Sequence, residues 1–273
     1  MSKRLTYLLL FVLLPAFSWA QTSVPAAEIV AKINRGEAVS YQNATITGDL
    51  DLTQLQNKTL QKPKGENDKY DSKEYLSTVT APVSFINCTF KGDVLAYFNP
   101  NSLDGDVKVS NVLRGKGQEE VYNTNFEQQV RFEKCVFERR SAFKYSAFKG
   151  DASFAGSTFQ NEALFKYAQF NGKIDFEKAR FNEVANFKYV KFPSQVDFKD
   201  ASFRDEALFK YAAFPKGADF QRATFTGLAN FKYAKLADPV QWKGATFKGG
   251  QDLKYTSMNQ KSFSAAALDE MAR

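Results

Sequence analysis

The chain of 273 residues contains no histidine. That removes imidazole bases, Ser–His and Cys–His nucleophile pairs and most zinc sites together. Cysteine occurs only at Cys88 and Cys135. Beyond the first twenty residues no run approaches the ~18 uninterrupted apolar residues of a membrane-spanning helix, so no span is expected in the mature protein. Strong charge is missing as well. The formal charge of +7 falls to +5 without Lys3 and Arg4, which is modest for this length and argues against a nucleic-acid partner.

The one long apolar run lies at the start. Lys3 and Arg4 precede Leu5 to Phe17, and Ser18-Trp19-Ala20 puts small residues at −3 and −1 of a cleavage point before Gln21. These features predict a secretory signal over residues 1–20 and a periplasmic or secreted bacterial protein. With no cysteine near the cleavage point, no lipid anchor is expected.

Aromatics are what the chain has in excess, with 27 phenylalanines and 12 tyrosines. Between Phe126 and Met258 a large apolar residue recurs at alternating spacings of six and five, without a skipped position. The tripeptide Phe-Lys-Tyr recurs every 22 residues from Phe143 to Phe231, and Leu253-Lys254-Tyr255 is a sixth copy. A small or branched residue stands two before most of the large ones, as in Ala179-Arg180-Phe181 and Val196-Asp197-Phe198. Period-two alternation puts both on one face of a short strand. Each unit is therefore a strand and a corner, and four units make a 22-residue turn of a parallel coil.

The columns agree with that turn. Cys135, Ser157, Ala179, Ala201, Ala223 and Ala245 form one small column, and Val130, Ala152, Ile174, Val196, Ala218 and Val240 a mostly branched one. Val83 to Phe90 repeats the register of Val130 to Phe137, and Ala44 to Leu52 that of Ala201 to Phe209, which extends the coil to residues 43–258. Two stretches fit no turn and read as polar insertions, at about 53–80 and 97–122, leaving from the same corner. About eight turns at ~4.8 Å each give a rod of roughly 35–40 Å. Open sheet edges at its ends need covers. Residues 21–42, with Pro25 to Arg35 as a helix, predict an N-terminal cap, and 259–273, with a helix near Ser264 to Met271, a C-terminal one.

Ala-Asp-Phe at Ala218 to Phe220, Ala-Asn-Phe at Ala185 to Phe187 and Ala229 to Phe231, and Ala-Thr-Phe at Ala223 to Phe225 and Ala245 to Phe247 resemble the pentapeptide-repeat family. The resemblance implies an all-β solenoid, a right-handed quadrilateral β-helix. The sixth residue in alternate units departs from the family pattern and lengthens two of the four corners. Some family members mimic DNA and shield type II topoisomerases. That role calls for an acidic cytoplasmic rod and is not carried over to this basic chain.

Two outward columns are candidate binding residues: Lys144, Lys166, Lys188, Lys210, Lys232 and Lys254, and beside them Tyr145, Tyr167, Tyr189, Tyr211, Tyr233 and Tyr255. They could bind an anionic polymer or a protein, or they could simply stabilise and solvate the corner. Cys88 and Cys135 fall in the same column on neighbouring turns, within reach of a disulfide, or pack as buried thiols. Asp104-Gly105-Asp106 reads as a plain turn. Asp175, Asp197 and Asp219 form an outward carboxylate column of the kind a glycoside-cleaving site would need. No convergent catalytic set, metal or cofactor is called for. The expected function is that of a non-enzymatic structural or protein-interaction module at the cell envelope, with an unidentified protein partner. The alternative is a binder of anionic envelope polysaccharide or glycolipid.

Overall fold

The computed structural model describes residues 22–61, 73–100 and 120–273. The expected leader lies outside them, as does the Asp104-Gly105-Asp106 turn. Parallel strands stack in four walls, each named here by one inward phenylalanine. The Phe132 wall has eight strands, from Val39–Gln42 to Val240–Gln241, and the Phe137 wall nine, from Thr22–Pro25 to Thr246–Phe247. Eight strands form the Phe143 wall, from Leu50–Asp51 to Gln251–Asp252. Register steps by one repeat at every rung: Phe137 pairs with Phe159, Phe159 with Phe181, Phe181 with Phe203 and Phe203 with Phe225. Most strands in the regular region are two residues long, because the next residue already turns a corner.

The fourth wall, that of Phe148, is divided. Six strands form its upper sheet, ending at Gln169–Phe170, and four its lower one, beginning at Ala213–Phe214. Lys191 alone bridges the gap, pairing with Gln169 and Ala213. The cause is proline. Lys149 N–H donates to Phe126 O and Asn171 N–H to Phe148 O, whereas Pro193 and Pro215 occupy the next two positions in that series and have no N–H to give.

Phenylalanine fills the interior. Like rings stack along each column, as in Phe154–Phe176 at 5.3 Å and Phe176–Phe198 at 5.1 Å, while neighbouring columns meet edge to face, as in Phe165–Phe176 at 82°. Both arrangements suit the ring quadrupole and add about 0.5–1.5 kcal/mol per pair beyond burial. Trp242 continues the Phe132 column, stacked on Phe220 at 4.4 Å.

Two corners per turn are tight, and each places one residue in the left-handed region. Between the Phe132 and Phe137 walls that residue is Asn43, Asn87, Lys134, Gly156, Lys178, Asp200, Arg222 or Gly244, and between the Phe143 and Phe148 walls it is a tyrosine in six turns. The insertions occupy this second corner in the first turns. Leu55 and Val79, inside the stretch read as a polar insertion, are buried in the core. Val79 pairs with Phe126 and so supplies the Phe148 wall of the first turn. The intervening length hides that register from the sequence. Lys73–Val79 runs parallel to Glu120–Phe126 over seven residue pairs, flanked by Thr59–Leu60 on one side and Tyr97–Phe98 on the other.

Both ends are covered. Thr22–Pro25 adds to the outer edge of Ala44–Thr47, and the following helix, Ala26–Asn34, lays Ala26, Ile29 and Ile33 on the core. At the other end the helix Ala265–Ala272 starts at Ser264, whose hydroxyl accepts from Ala267 N–H, and buries Leu268 completely. Among the described residues no helix is long and apolar enough to cross a membrane.

The Lys–Tyr corner as candidate functional site

The six tyrosines form a continuous ladder. Successive ring centroids from Tyr145 to Tyr255 are 5.1, 4.7, 4.7, 4.6 and 4.8 Å apart, and no pair is tilted by more than 17°. The strand spacing sets this pitch: equivalent corners lie one ~4.8 Å rung apart, so identical side chains in identical rotamers must stack. Each tyrosine has φ between 60° and 62°. For a bulky side chain this conformation is uncommon and costs on the order of 1 kcal/mol, which stacking offsets.

Lysine precedes each ring. The ammonium groups of Lys144, Lys166, Lys210, Lys232 and Lys254 lie 5.1–5.6 Å from the centroid of the following tyrosine. Stacking between Tyr189 and Tyr233 withdraws water from the Tyr211 hydroxyl and raises its pKa. The backbone here is saturated by rung-to-rung bonds: Tyr145, Tyr167, Tyr189, Tyr211 and Tyr233 N–H each donate to the carbonyl of the lysine in the next turn.

Sequence reasoning missed the upper end of the ladder. Tyr97 adds a tilted ring 5.9 Å from Tyr145, and Lys144 Nζ donates to its hydroxyl at 3.2 Å. With Leu95, Ala142, Leu164 and Val121, Tyr97 forms a second apolar cluster outside the main core, where Tyr97–Phe98 and Glu120–Phe126 pair beside the Phe143 wall. Beside it Tyr75 and Tyr122 stack at 4.9 Å with Lys58 over both. The Tyr122 hydroxyl donates to Glu120, which pushes its pKa up to about 12. A Tyr97 two residues past Leu95 was the available signal, but nothing in the spacing indicates that the chain turns back over the ladder.

The carboxylate column is engaged in making corners. Asp175, Asp197 and Asp219 each accept a hydrogen bond from the backbone N–H two residues on, at 2.7–2.8 Å. Asn186, Asn230 and Asp252 accept in the same way. This Asx turn is the physical reason for Asp or Asn at the central position. Burial raises the pKa of Asp175 and of Asp197, and the neighbouring carboxylates add to it for Asp197. A raised folded pKa means the charged carboxylate weakens the fold once pH rises above the ordinary aspartate range. Asp197→Asn, which keeps the acceptor, should therefore raise stability at pH 7 by a few tenths to about 1 kcal/mol, discounted for partial exposure. The gain should vanish in urea titrations as pH falls below the aspartate range. An equal gain at low pH would refute the electrostatic cause.

Cys88 and Cys135 are both free and buried. They stand in register on adjacent turns, one residue before the paired Thr89 and Val136. The thiol of Cys88 lies within hydrogen-bond reach of the Tyr41 and Ile86 carbonyls, and that of Cys135 of the Phe85 and Glu133 carbonyls, each with one hydrogen to give. One turn below, Ser157 does the same with its hydroxyl, donating to Phe132 O at 2.6 Å. The adjacent Cys88 thiol and burial both raise the pKa of Cys135. Elsewhere, a recess of about 390 Å³ below the break in the Phe148 wall is lined by Lys191, Pro215, Lys235, Ser257 and Asn259 among others, with no acidic side chain. No group of three or more potential metal-ligating side chains occurs among the described residues.

The walls, the 22-residue register and the outward columns define a parallel β-helix repeat protein whose chemistry lies on its surface. A family model for pentapeptide repeats matches nine copies, over residues 122–169, 165–212 and 187–235. Residues 122–235 are therefore built of pentapeptide repeats, the repeat of a class of structural and interaction modules that is generally non-enzymatic. No curated protein matches the sequence.

Proposed function

We propose that the protein is an exported, non-enzymatic module that holds a partner at the cell envelope. The observation that carries this reading is the interior: close-packed apolar side chains, stacked rings through most of its length, fill it, so chemistry is confined to outward columns on a rigid scaffold. Export is supported by the basic-then-apolar leader and by the position of the first strand, Thr22–Pro25, just beyond the expected cleavage point. Cutting before Gln21 would free the fold without removing any strand. Expression in a Gram-negative host with a C-terminal tag should yield a periplasmic or secreted species whose N-terminal sequence begins at Gln21. A full-length species in the cytosol would overturn the export reading.

A second reading, binding of an anionic envelope polysaccharide or glycolipid, is favoured by the ladder itself. Its lysine column keeps one sign over six turns, although like charges one rung apart repel by ~1 kcal/mol even in water. A solvating surface has no need of that uniformity.

A further inference from the structure

The fold provides its own control for the Lys–Tyr corner. The other tight corner uses the same left-handed turn, yet its two turn residues vary from rung to rung: Glu133-Lys134, Ala155-Gly156, Glu177-Lys178, Lys199-Asp200, Gln221-Arg222 and Lys243-Gly244. There, opposite charges pair along the rod, as Arg222 does with Asp200 at 2.6 Å. Closing the turn therefore requires neither lysine nor tyrosine, and glycine or asparagine meets the backbone demand with less strain. The Lys–Tyr corner instead keeps the same two residue types, Lys then Tyr, in all six turns.

The geometry narrows what such a strip can hold. Ring faces are taken up by neighbouring rings, so neither nucleobases nor the flat faces of sugars can stack along it. Rung-to-rung bonding of the tyrosine N–H groups leaves no edge to which a peptide strand could add. What remains outward is a row of phenol hydroxyls beside a row of ammonium groups, repeating at the rung spacing. Tyr145, Tyr189, Tyr211 and Tyr255 are 39–63% exposed. From Lys144 to Lys254 there are five steps, a strip of roughly 24 Å.

We propose that this strip binds a linear anionic glycan lying parallel to the rod axis. Ammonium groups would take the carboxylate or phosphate of successive sugars, and the phenols would hydrogen-bond ring hydroxyls. The proposal rests on the glycan reading above and does not depend on export. A glycan suits both rows because each sugar carries an anion and hydroxyls together, whereas an acidic peptide side chain offers the anion alone.

Calorimetric titration of the purified protein tests it, using oligogalacturonates of two to ten sugars, a phosphorylated mannan, a neutral glucan and polyglutamate. Oligogalacturonate or phosphomannan should bind, identifying which anion is preferred, with affinity rising until the chain spans the strip and falling at least tenfold between low and high salt. Lys166→Glu with Lys210→Glu should weaken binding at least tenfold. Lys178→Glu with Lys243→Glu, the same charge change at the other corner, should alter it less than twofold. Tyr189→Phe with Tyr211→Phe keeps the stack and should weaken binding several-fold, a readout that holds if charge reversal disturbs folding. Absence of binding by both anionic glycans, equal binding of polyglutamate, or equal loss in both charge-reversed proteins would overturn the proposal. A cytosolic location with intact glycan binding would overturn only the export reading.

Discussion

Phe176→Ala should lower the unfolding free energy by about 3–5 kcal/mol, the range for a large ring removed from a close-packed interior. Phe176 is fully buried, lies between Phe154 and Phe198 in its own column, and meets Phe165 and Phe187 edge-on. Few of these neighbours can move into the space, because each is held by its own stack. Phe247 is a contrast: it is only partly buried and stacks in its column on Phe225 alone. Phe247→Ala should cost less than half as much in parallel urea titrations. Equal losses at the two positions would mean that the middle of the rod is no better packed than its end, contrary to a nearest-neighbour solenoid.

Leu268→Asp should have a different kind of effect, on association. Leu268 is the buried anchor of the C-terminal helix, and the helix also supplies Ala272 O to Gly244 N–H at 2.7 Å, where the next turn of a longer solenoid would supply a carbonyl. A carboxylate at that place cannot be paired, so the helix should detach rather than bury it. The last rung would then present unpaired strand edges of the sort that recruit another chain. Size-exclusion chromatography with light scattering should show a shift to larger species than the wild type at tens of micromolar, with Leu268→Met unchanged. A protein that keeps its wild-type size would show that the last rung needs no cover.

Much of this architecture is legible in one sequence because the repeat samples it many times. The columns through Phe132, Phe137, Phe143 and Phe148 follow from spacing alone, since period two fixes which side chain points inward and 22 residues fix what lies above it. Cys88 falls beside Cys135 by the same arithmetic. Where the chain departs from the repeat, spacing carries no information. Val79 enters the core after an insertion of unrelated length, and Tyr97 lies at the ladder where Tyr97–Phe98 pairs antiparallel with Glu120–Phe126. The left-handed turn at each tyrosine is hidden for another reason: lysine and tyrosine are poor markers of positive φ, whereas the asparagines and glycines at the opposite corner are good ones.

The two prolines in the Phe148 wall have a mechanical consequence. Three walls run unbroken past Pro193 and Pro215, but the fourth is reduced there to single bridges at Lys191. A rod pulled or bent is weakest where fewest crosslinks join its rungs, so strain should concentrate at this side of the rungs of Phe192 and Phe214. The molecule is better pictured as two stiff blocks sharing a one-sided crease, which lets a nominally rigid strut flex in one direction while resisting the others.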